Sequence, residues 1–451
     1  SPCPLALDCT GEAPRLLVFG AGEVEHPADL QHRPCGAIAS ERVDMRRGLA
    51  RHQHRNRCVA RVRSLGERDP YHAVARIDDV SHRLAGNLHS LLVVVGIGVR
   101  QVDDRRIVDE RRVGSLLRVY QVGIIFAVAV VRDGRTVLAD CIASQVALHK
   151  IYGGVVPEIA SRKHIEAISA LADEAIAKAG VTKAQLDAVA VTYAPGLIGA
   201  VLVGVSFAKS AAYALGVPLI PVHHVRGHIA ANYLAFPELE PPFLALAMSG
   251  GNTLIVDVKG YTDMEVLGAT RDDAAGECFD KAARVLGLPY PGGKPMDQLA
   301  ARSPGGKYVL PRAHVEGAPL DMSFSGLKTA VVNLAHNAQQ KGEPLDAAAL
   351  AHDFNQAVSD ELVPRAMEAA RLRGRRCIVA AGGVAANTII RGDLERACEK
   401  AGYRLYLPPL RLCGDNGAMI GAQGYYEYLA GRRAGLDLNA YATMELDDIF
   451  Y

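Results

Sequence analysis

The 451-residue sequence has nine cysteines, but none of them form a CxxC pair or the spacing of a zinc knuckle or a disulfide framework. We therefore expect reduced thiols in a cytosolic protein. The formal net charge is only +1, so the composition gives no reason to expect a broad nucleic-acid-binding surface. An RNA partner would have to be bound by local patches or with the help of other subunits.

Long apolar runs are also missing. No segment reaches the roughly 18 consecutive apolar residues that a bilayer span needs, and the apolar stretch at 91–99 ends at Arg100. No signal peptide is visible at the start. The sequence therefore predicts a protein without a membrane partner. Hydrophobic content of 49% and charged content of 22% are typical of a globular protein, and the length allows two or three domains.

Lysine does not occur before Lys150, so the basic residues of the first part are arginine or histidine. The run at 51–57 has neither helical nor strand periodicity. One interpretation is a basic, nucleic-acid-binding extension. The other is a fragment or a wrong-frame translation without a selected function. We favour the second, because acids such as Asp103 and Asp109 interrupt the basic residues.

Strand and helix patterns begin near residue 122 and then alternate. Apolar strands at 124–131 and 136–144 flank a turn, and a comparable series starts again with strands at 243–248 and 253–258. Alternation of this kind predicts an α/β architecture. We expect two similar lobes, 122–235 and 236–420, with a cleft between them. Residues 421–451 are expected to pack back on the first lobe, and residues 1–121 to be disordered or spurious.

A histidine pair indicates a metal site. His224 and His228 are four residues apart on a predicted helix, so both imidazoles can reach one ion. Asp415 would complete a two-histidine, one-carboxylate set with open positions for a substrate. The alternatives are that the histidines only pack or cap, and that Asp415 caps the following helix. A zinc protease would need a glutamate where this chain has Val225.

Glycine-rich turns are typical of phosphate-binding sites. Segment 247–253 places Ser249, Gly250 and Gly251 between apolar strands, where backbone N–H groups are exposed, although an ordinary hairpin turn has the same residues. Segment 380–387 follows a strand and enters a helix, a position that suits an anion or a nucleotide. Asn387 would bond a base or a ribose there, unless it only caps the helix.

Two further acids are candidate ligands. Most acids of 272–277 suit the dipole of a helix that starts there. Asp280 lies further into that helix and is a candidate ligand for ribose hydroxyls or an amine. Asp297 follows the turn 290–293 by four residues. The turn-like segments 290–293, 323–329 and 152–158 also have a purely structural interpretation.

Nine of these segments in this order resemble one known family, the tRNA N6-adenosine threonylcarbamoyltransferases. Each segment is weak alone, but the ordered set is very specific, and the resemblance covers roughly the last 325 residues. The matching segments are 152–158, 194–199, 223–228, 249–251, 272–280, 290–293, 323–329, 382–387 and 415–417.

The resemblance implies a duplicated actin-like, ribonuclease-H-like fold, and transfer of the threonylcarbamoyl group from threonylcarbamoyl-AMP to N6 of the adenosine beside the anticodon in tRNAs that read ANN codons. In the family pattern, His224, His228 and Asp415 resemble the ligands of one divalent metal ion, usually iron or zinc. The nucleotide-substrate contacts correspond to Ala247, Met248, Ser249, Gly250, Gly251, Asp280, Gly293, Asp297 and Asn387.

The residues themselves are compatible with that reaction. A metal polarises a carbonyl oxygen or anchors a substrate, and glycine-turn amides hold a phosphate as charge develops on it. No residue is assigned as the general base. The competing functions are an ATP-dependent kinase or ATPase of the same superfamily, which the metal histidines disfavour because Mg-ATP sites prefer carboxylates and water, and a metalloprotease, which Val225 disfavours.

The chain departs from the family pattern in two places. The family opens with a strand and an acid-containing turn that lines the cleft, but residues 122–126 lack them and the match begins only at Ala127. We therefore expect this chain to bind nucleotide and to transfer poorly. The lesser departure is Asn252, where many relatives have histidine. The resemblance also implies cytoplasmic action on tRNA, with a TsaB-like paralogue and a TsaE-like ATPase as partners.

Overall fold

The computed structural model describes residues 91–98, 125–145, 148–149 and 156–448. The strands are β1 Leu91–Gly98, β2 Ile125–Arg132, β3 Thr136–Ser144, β4 Ala188–Ala194, β5 Leu219–His223, β6 Phe243–Met248, β7 Thr253–Val258, β8 Met264–Ala269, β9 Cys377–Ala381 and β10 Arg404–Tyr406. The helices are α1 Pro157–Ala179, α2 Ile198–Leu215, α3 His224–Ala235, α4 Ala275–Val285, α5 Gly293–Ala300, α6 Ser325–Lys341, α7 Ala347–Arg373, α8 Thr388–Ala401, α9 Leu410–Cys413 and α10 Gly417–Leu429.

Two five-stranded sheets share one topology. The first has the order β3-β2-β1-β4-β5 and the second has the order β10-β9-β6-β7-β8. In each, the central strand pairs antiparallel with one side of a hairpin and parallel with a later strand. Two copies of this arrangement, with helices covering the sheets, are the duplicated actin-like, ribonuclease-H-like fold. The predicted α/β fold class is therefore confirmed.

The centre of the first sheet is occupied by β1. This strand pairs antiparallel with β2, with Gly96 opposite Ala127, and parallel with β4, with Val94 opposite Ala190. It belongs to the part of the chain, 1–121, that the sequence pattern assigned to a segment outside the fold. The eight residues of β1 are apolar or glycine and half of them are β-branched, a composition typical of a central strand that pairs on both sides. The expectations for residues 1–90 and 99–124 lie outside the described residues.

Helix α2 is the described helix that is long and apolar enough, by length and composition alone, to cross a membrane. Its mean hydropathy is 1.6 and 39% of it is buried. It is not an unbroken run of about 18 apolar residues, because Ser206, Lys209 and Ser210 interrupt it. One side of α2, including Val201 and Val205, packs in the core of the first lobe.

Helices α3 and α10 lie between the two sheets. Helix α3 contributes Val225 and Ile229 to a core shared with β6 and β9, while Met419 and Ile420 of α10 belong to the core of the first sheet. The predicted lobe boundary after residue 420 falls inside α10. After this helix the chain returns along the first lobe, where Tyr441 N donates to Tyr193 O at 2.9 Å.

Candidate active site

The histidine helix begins where β5 ends. His223 is the N-cap of α3, and its Nδ1 accepts a hydrogen bond from Val225 N at 3.2 Å. His224 and His228 follow on one face of the helix, with ring centroids 4.7 Å apart. The carboxyl ends of strands in open α/β sheets are where ligands usually bind, and β5 delivers the pair to such an end.

Asp415 meets this pair from the far end of the chain, in the short connection between α9 and α10. Its Oδ1 lies 3.3 Å from Nε2 of His224 and 3.1 Å from Nε2 of His228. The alternative role of Asp415 as a helix cap does not apply, because Asn416 caps α10 and its Oδ1 accepts from Met419 N at 2.8 Å. The carboxylate of Asp415 therefore interacts with the two histidines and not with the start of α10.

The three side chains form a buried, charged group. Both histidine side chains are 2% exposed and that of Asp415 is 20% exposed. Burial raises the pKa of Asp415, but the two imidazoles outweigh it, so the pKa lies well below its usual range. Burial lowers the pKa of His228, against the effect of the Asp415 carboxylate. Neutral imidazole and ionised carboxylate are the protonation states that a metal ion binds.

The geometry fits one metal ion. Two ligands about 2.05 Å from an ion in tetrahedral directions lie about 3.3 Å apart, close to the two distances that join Asp415 to the histidines. One ligand atom from each residue lies within 4.8 Å of the others. Among the described residues, Nε2 of His228, which faces Asp415, has no hydrogen-bond partner, and neither has Nδ1 of either histidine. Unpaired buried nitrogens are costly, and ligand or water contacts would relieve that cost.

Glycines allow the helices to meet closely. A Cβ on Gly227 would lie 2.5 Å from Cδ1 of Ile420, so α3 and α10 touch where a larger residue would separate them. A Cβ on Gly417 would lie 2.9 Å from the Cβ and N of Ala129 in β2. Gly417 N also donates to Oδ1 of Asp140 at 3.2 Å. These contacts fix the start of α10, and with it Asp415, against the first sheet.

The turn between β6 and β7 is enclosed by two glycines from other elements. Ser249 N donates to Asn252 O at 2.8 Å, which closes the predicted hairpin. A Cβ on Gly276, in the first turn of α4, would lie 2.6 Å from Ser249 O, and a Cβ on Gly382 would lie 2.3 Å from Met248 O. Ala247 and Met248 end the strand that leads into this turn. The β6–β7 turn, the start of α4 and the turn after β9 therefore meet at one place.

Asp280 and Gly293 lie next to each other beyond this turn. Oδ1 of Asp280, which is 2% exposed, accepts a hydrogen bond from Gly292 N at 2.7 Å. Gly293 then starts α5, and a Cβ there would have no atom within 4 Å. The buried carboxylate of Asp280 thus holds the turn at Gly292, and the next residue, Gly293, faces open space.

Asp297 connects α5 to α8, and Asn387 connects α8 to α7. Oδ1 of Asp297 accepts from both N and Oγ1 of Thr388, at 3.1 and 2.8 Å. Oδ1 of Asn387 accepts from Ile389 N and Ile390 N at 3.1 Å each, so this side chain caps α8, and its Nδ2 donates to Oδ1 of Asn355. The oxygen of Asn387 is therefore committed to the helix.

Sequence reasoning missed one residue of the histidine helix. Asn232 is fully buried, one turn beyond His228, and its Nδ2 donates to Ala380 O at 3.0 Å. It thus ties α3 to β9, the strand that leads into the Gly382 turn. The repeated four-residue spacing from His224 to His228 to Asn232 is the signal that would have indicated a shared face.

Two lobes of one topology, with a histidine pair and an aspartate brought together where they meet, define a two-lobed actin-like α/β protein with a candidate metal centre. A family model described as TsaD, tRNA N6-adenosine threonylcarbamoyltransferase, matches residues 136–422. The protein of that description from Moorella thermoacetica (strain ATCC 39073 / JCM 9320) is 52% identical over 321 residues, which cover 71% of this chain and 94% of that protein. This chain belongs to the tRNA N6-adenosine threonylcarbamoyltransferase family, and the family resemblance is confirmed.

Other known proteins are similar to parts of the chain. The protein of the same description from Clostridium botulinum (strain 657 / Type Ba4) is 49% identical over 320 residues, covering 71% of this chain and 94% of that protein. The crystal structure of T.kodakarensis HypF aligns with a TM-score of 0.49 and 17% identity, over 78% of this chain and 49% of that one. As a member of the family that its sequence relatives define, the chain is a transferase that acts in tRNA modification.

Proposed function

We propose that this chain transfers the threonylcarbamoyl group of threonylcarbamoyl-AMP to N6 of the adenosine beside the anticodon in tRNAs that read ANN codons, with the help of one Fe²⁺ or Zn²⁺ ion. The observation that carries the proposal is the convergence of His224, His228 and Asp415, from segments almost two hundred residues apart, to within 3.1–3.3 Å. Two imidazoles and one carboxylate leave positions open for a substrate.

The reaction is an acyl transfer. The adenine amine forms a C–N bond to the carbamoyl carbon, the bond from that carbon to the phosphate oxygen breaks, and the amine loses a proton while AMP leaves. A divalent ion at the three ligands supplies a Lewis acid for the carbamoyl oxygen or an anchor for the threonyl part. The chain's own task is to bind and orient both substrates.

The glycine turns are suited to the nucleotide part. We assign the phosphate to the backbone N–H groups around Gly250 and Gly251, next to the N-terminus of α4, whose dipole favours negative charge. Gly293 and Gly383 support this assignment, because a Cβ at either position would meet no atom within 4 Å. Asp280, Asp297 and Asn387 then hold the surrounding turns, and Asp280 and Asp297 are the proposed contacts for ribose or amine groups.

The surface of α2 and the free cysteines bear on the partners and the compartment. Ile198, Leu202 and Tyr213 of α2 are 47%, 45% and 75% exposed, and exposed apolar side chains on one helix support a protein partner such as the TsaB-like paralogue. A TsaE-like ATPase completes the proposed set. We place the reaction in the cytoplasm, which agrees with the buried free thiols of the described residues.

The test is mass spectrometry of tRNA from a strain depleted of its own enzyme, with and without this gene. The threonylcarbamoyl mark is expected to return with the gene when the partner proteins are present. A kinase, an ATPase or a protease would leave the mark unchanged. If the mark does not depend on the gene, the proposed function is wrong.

Transfer by this chain is expected to be weak because residues 122–126 lack the acid-containing first strand and turn of the family pattern. The strand that takes the central position, Leu91–Gly98, includes no acid, and the residues that follow it lie outside the described part of the chain. We expect nucleotide binding close to that of a copy with the acidic first strand restored, and a lower rate of tRNA modification. Equal rates in a single-turnover assay of the two proteins would contradict this expectation.

A further inference from the structure

Arg391 joins two segments of the site, one next to the candidate nucleotide position and one next to the candidate metal ligand Asp415. Its half-buried guanidinium donates from Nη1 to Ala385 O at 2.7 Å and from Nη2 to Pro408 O at 3.1 Å. Ala385 belongs to the 3-10 turn Gly383–Ala386, on the nucleotide side. Pro408 precedes α9, whose end lies just before the metal ligand Asp415. One side chain therefore spans the candidate nucleotide and metal positions.

The nucleotide side of this connection is firmly anchored. Asn387 caps α8 through Ile389 N and Ile390 N. Arg391 lies one turn further along, and its backbone N donates to Asn387 O at 3.0 Å. A displacement of the Gly383 turn thus moves the start of α8 and the arginine with it.

On the metal side, the segment from Pro408 to Cys413 is held by contacts within itself. Sγ of Cys413 lies 3.6 Å from both Pro408 O and Pro409 O, and 3.9 Å from Nη1 of Arg391. These contacts hold the turn from Pro408 to Cys413 together, so a shift at Pro408 is passed to Asp415. A guanidinium is planar and presents its donors in a fixed fork, which makes it a stiff link between two carbonyl groups.

We propose that Arg391 is a positioning residue that couples nucleotide binding to metal binding. The inference rests on the proposed function, since it needs both ligands. Nucleotide contact at the Gly383 turn fixes Ala385 O, Arg391 passes that constraint to Pro408, and the ligand set around Asp415 is held in one geometry. Coupling of this kind is reciprocal: AMP changes the affinity for metal by the factor by which metal changes the affinity for AMP.

The experiment measures that factor on the full chain. Co²⁺ is titrated by its visible absorption with and without AMP, and AMP is titrated with and without Co²⁺. In the unmodified protein, AMP is expected to change the dissociation constant for Co²⁺ about fivefold or more and to shift the Co²⁺ absorption bands. In Arg391→Met, Co²⁺ still binds, but the factor falls to about one and the bands no longer respond.

Two further variants keep the test decisive. Arg391→Lys retains one donor group and is expected to give a factor between the other two, which a loss of folding would not produce. Arg396→Met is the matched control, because Arg396 lies on the same helix and pairs with Asp393 rather than with the site. It is expected to keep the full factor.

The outcomes separate the inference from the proposed function. A protein that binds Co²⁺ and AMP with the same factor in the unmodified and Arg391→Met forms overturns the role of Arg391 alone. A factor of one in the unmodified protein does the same. An unmodified protein that fails to bind either Co²⁺ or AMP overturns the proposed function, and this inference with it.

Discussion

At the scale of single residues, the spacing of the histidines predicted the metal-binding chemistry of the site. It did not predict the contacts that bring the ligands together. His224 and His228 share a helix face because of a local period, and Asp415 follows from the family pattern. Their closeness depends on Gly227, which allows α3 to touch Ile420 of α10. A glycine inside a helix gives no sign in the sequence of which partner it approaches, because that partner comes from a segment nearly two hundred residues away.

The first prediction concerns Asp415. Asp415→Asn keeps the shape of the side chain but removes the charge that faces both imidazoles, at 3.1 and 3.3 Å. We expect the affinity for Zn²⁺ to fall roughly tenfold or more, since even the loss of an outer contact of a metal ligand has an effect of this size. Zinc content after dialysis against a graded chelator series measures the change.

The control for this variant is His336→Gln, at an exposed position on α6. It removes a histidine without touching the cluster, and zinc content is expected to stay at the level of the unmodified protein. Equal zinc retention by Asp415→Asn and the unmodified protein would mean that the carboxylate is not a ligand.

At the scale of elements, local patterns predicted strands better than helix starts. Strands 243–248 and 253–258 were predicted at their observed bounds, because a tight turn lies between two apolar runs. Segment 323–329 was interpreted as turn-like, yet α6 begins at Ser325. Its cap comes from Asp272, whose Oδ1 accepts from Phe324 N at 2.8 Å. Asp272 thus does more than suit the dipole of α4, and a cap supplied from some fifty residues away has no local signal.

The second prediction tests how elements meet at the β6–β7 turn. In Gly276→Ala, the new Cβ would lie 2.6 Å from Ser249 O and 2.8 Å from Cα of Gly250. Backbone atoms cannot turn aside as a side chain can, so α4 has to move away. We expect the free energy of unfolding to fall by about 1–3 kcal/mol and AMP binding to weaken, as measured by urea denaturation and by calorimetry.

The same substitution at Gly326 is the matched control. This glycine lies in α6, where the nearest atom to a new Cβ is 4.0 Å away. Alanine is the better helix former, so Gly326→Ala is expected to stabilise the protein by up to about 1 kcal/mol. If the two variants behaved alike, the contact between α4 and the turn would have no energetic importance.

At the scale of the whole molecule, the sequence pattern did not predict which segment forms the central strand of the first sheet. The residues from 122 onward matched the family pattern, so the centre of the first sheet was expected to be missing or overwritten. A second apolar run, thirty residues upstream, takes that position between β2 and β4. Pairing in a sheet depends on backbone hydrogen bonds and burial, which many apolar sequences provide, so the partner of a strand is not encoded in its own residues.

The third prediction concerns acid stability. Burial lowers the pKa of His164 and of His149 below 6.5, and lowers that of His223 to about 3. These histidines stay neutral in the folded chain while the unfolded chain takes up protons below pH 6.5. The unfolded state then binds more protons, so the free energy of unfolding falls as the pH drops from about 6.5 towards about 3. Each unit of pKa difference corresponds to about 1.4 kcal/mol.

The variant that tests this is His164→Phe, because His164 already packs edge-on against Phe126. Its unfolding free energy is expected to depend less steeply on pH between 6.5 and 4.5 than that of the unmodified protein. His336→Gln alters an exposed histidine and is expected to leave the slope unchanged. An unchanged slope in His164→Phe would contradict the prediction.

The return of the chain from the second lobe to the first sets an order of assembly. The first sheet is covered by α10, and Ala434 N, further along, donates to Leu219 O at 2.9 Å. During synthesis the first lobe emerges early, but it stays uncovered until the ribosome has made the second lobe and reached these late residues. The two histidines are made about halfway along the chain and Asp415 only near its end, so we expect the proposed metal ion to bind at a late step in the maturation of the protein.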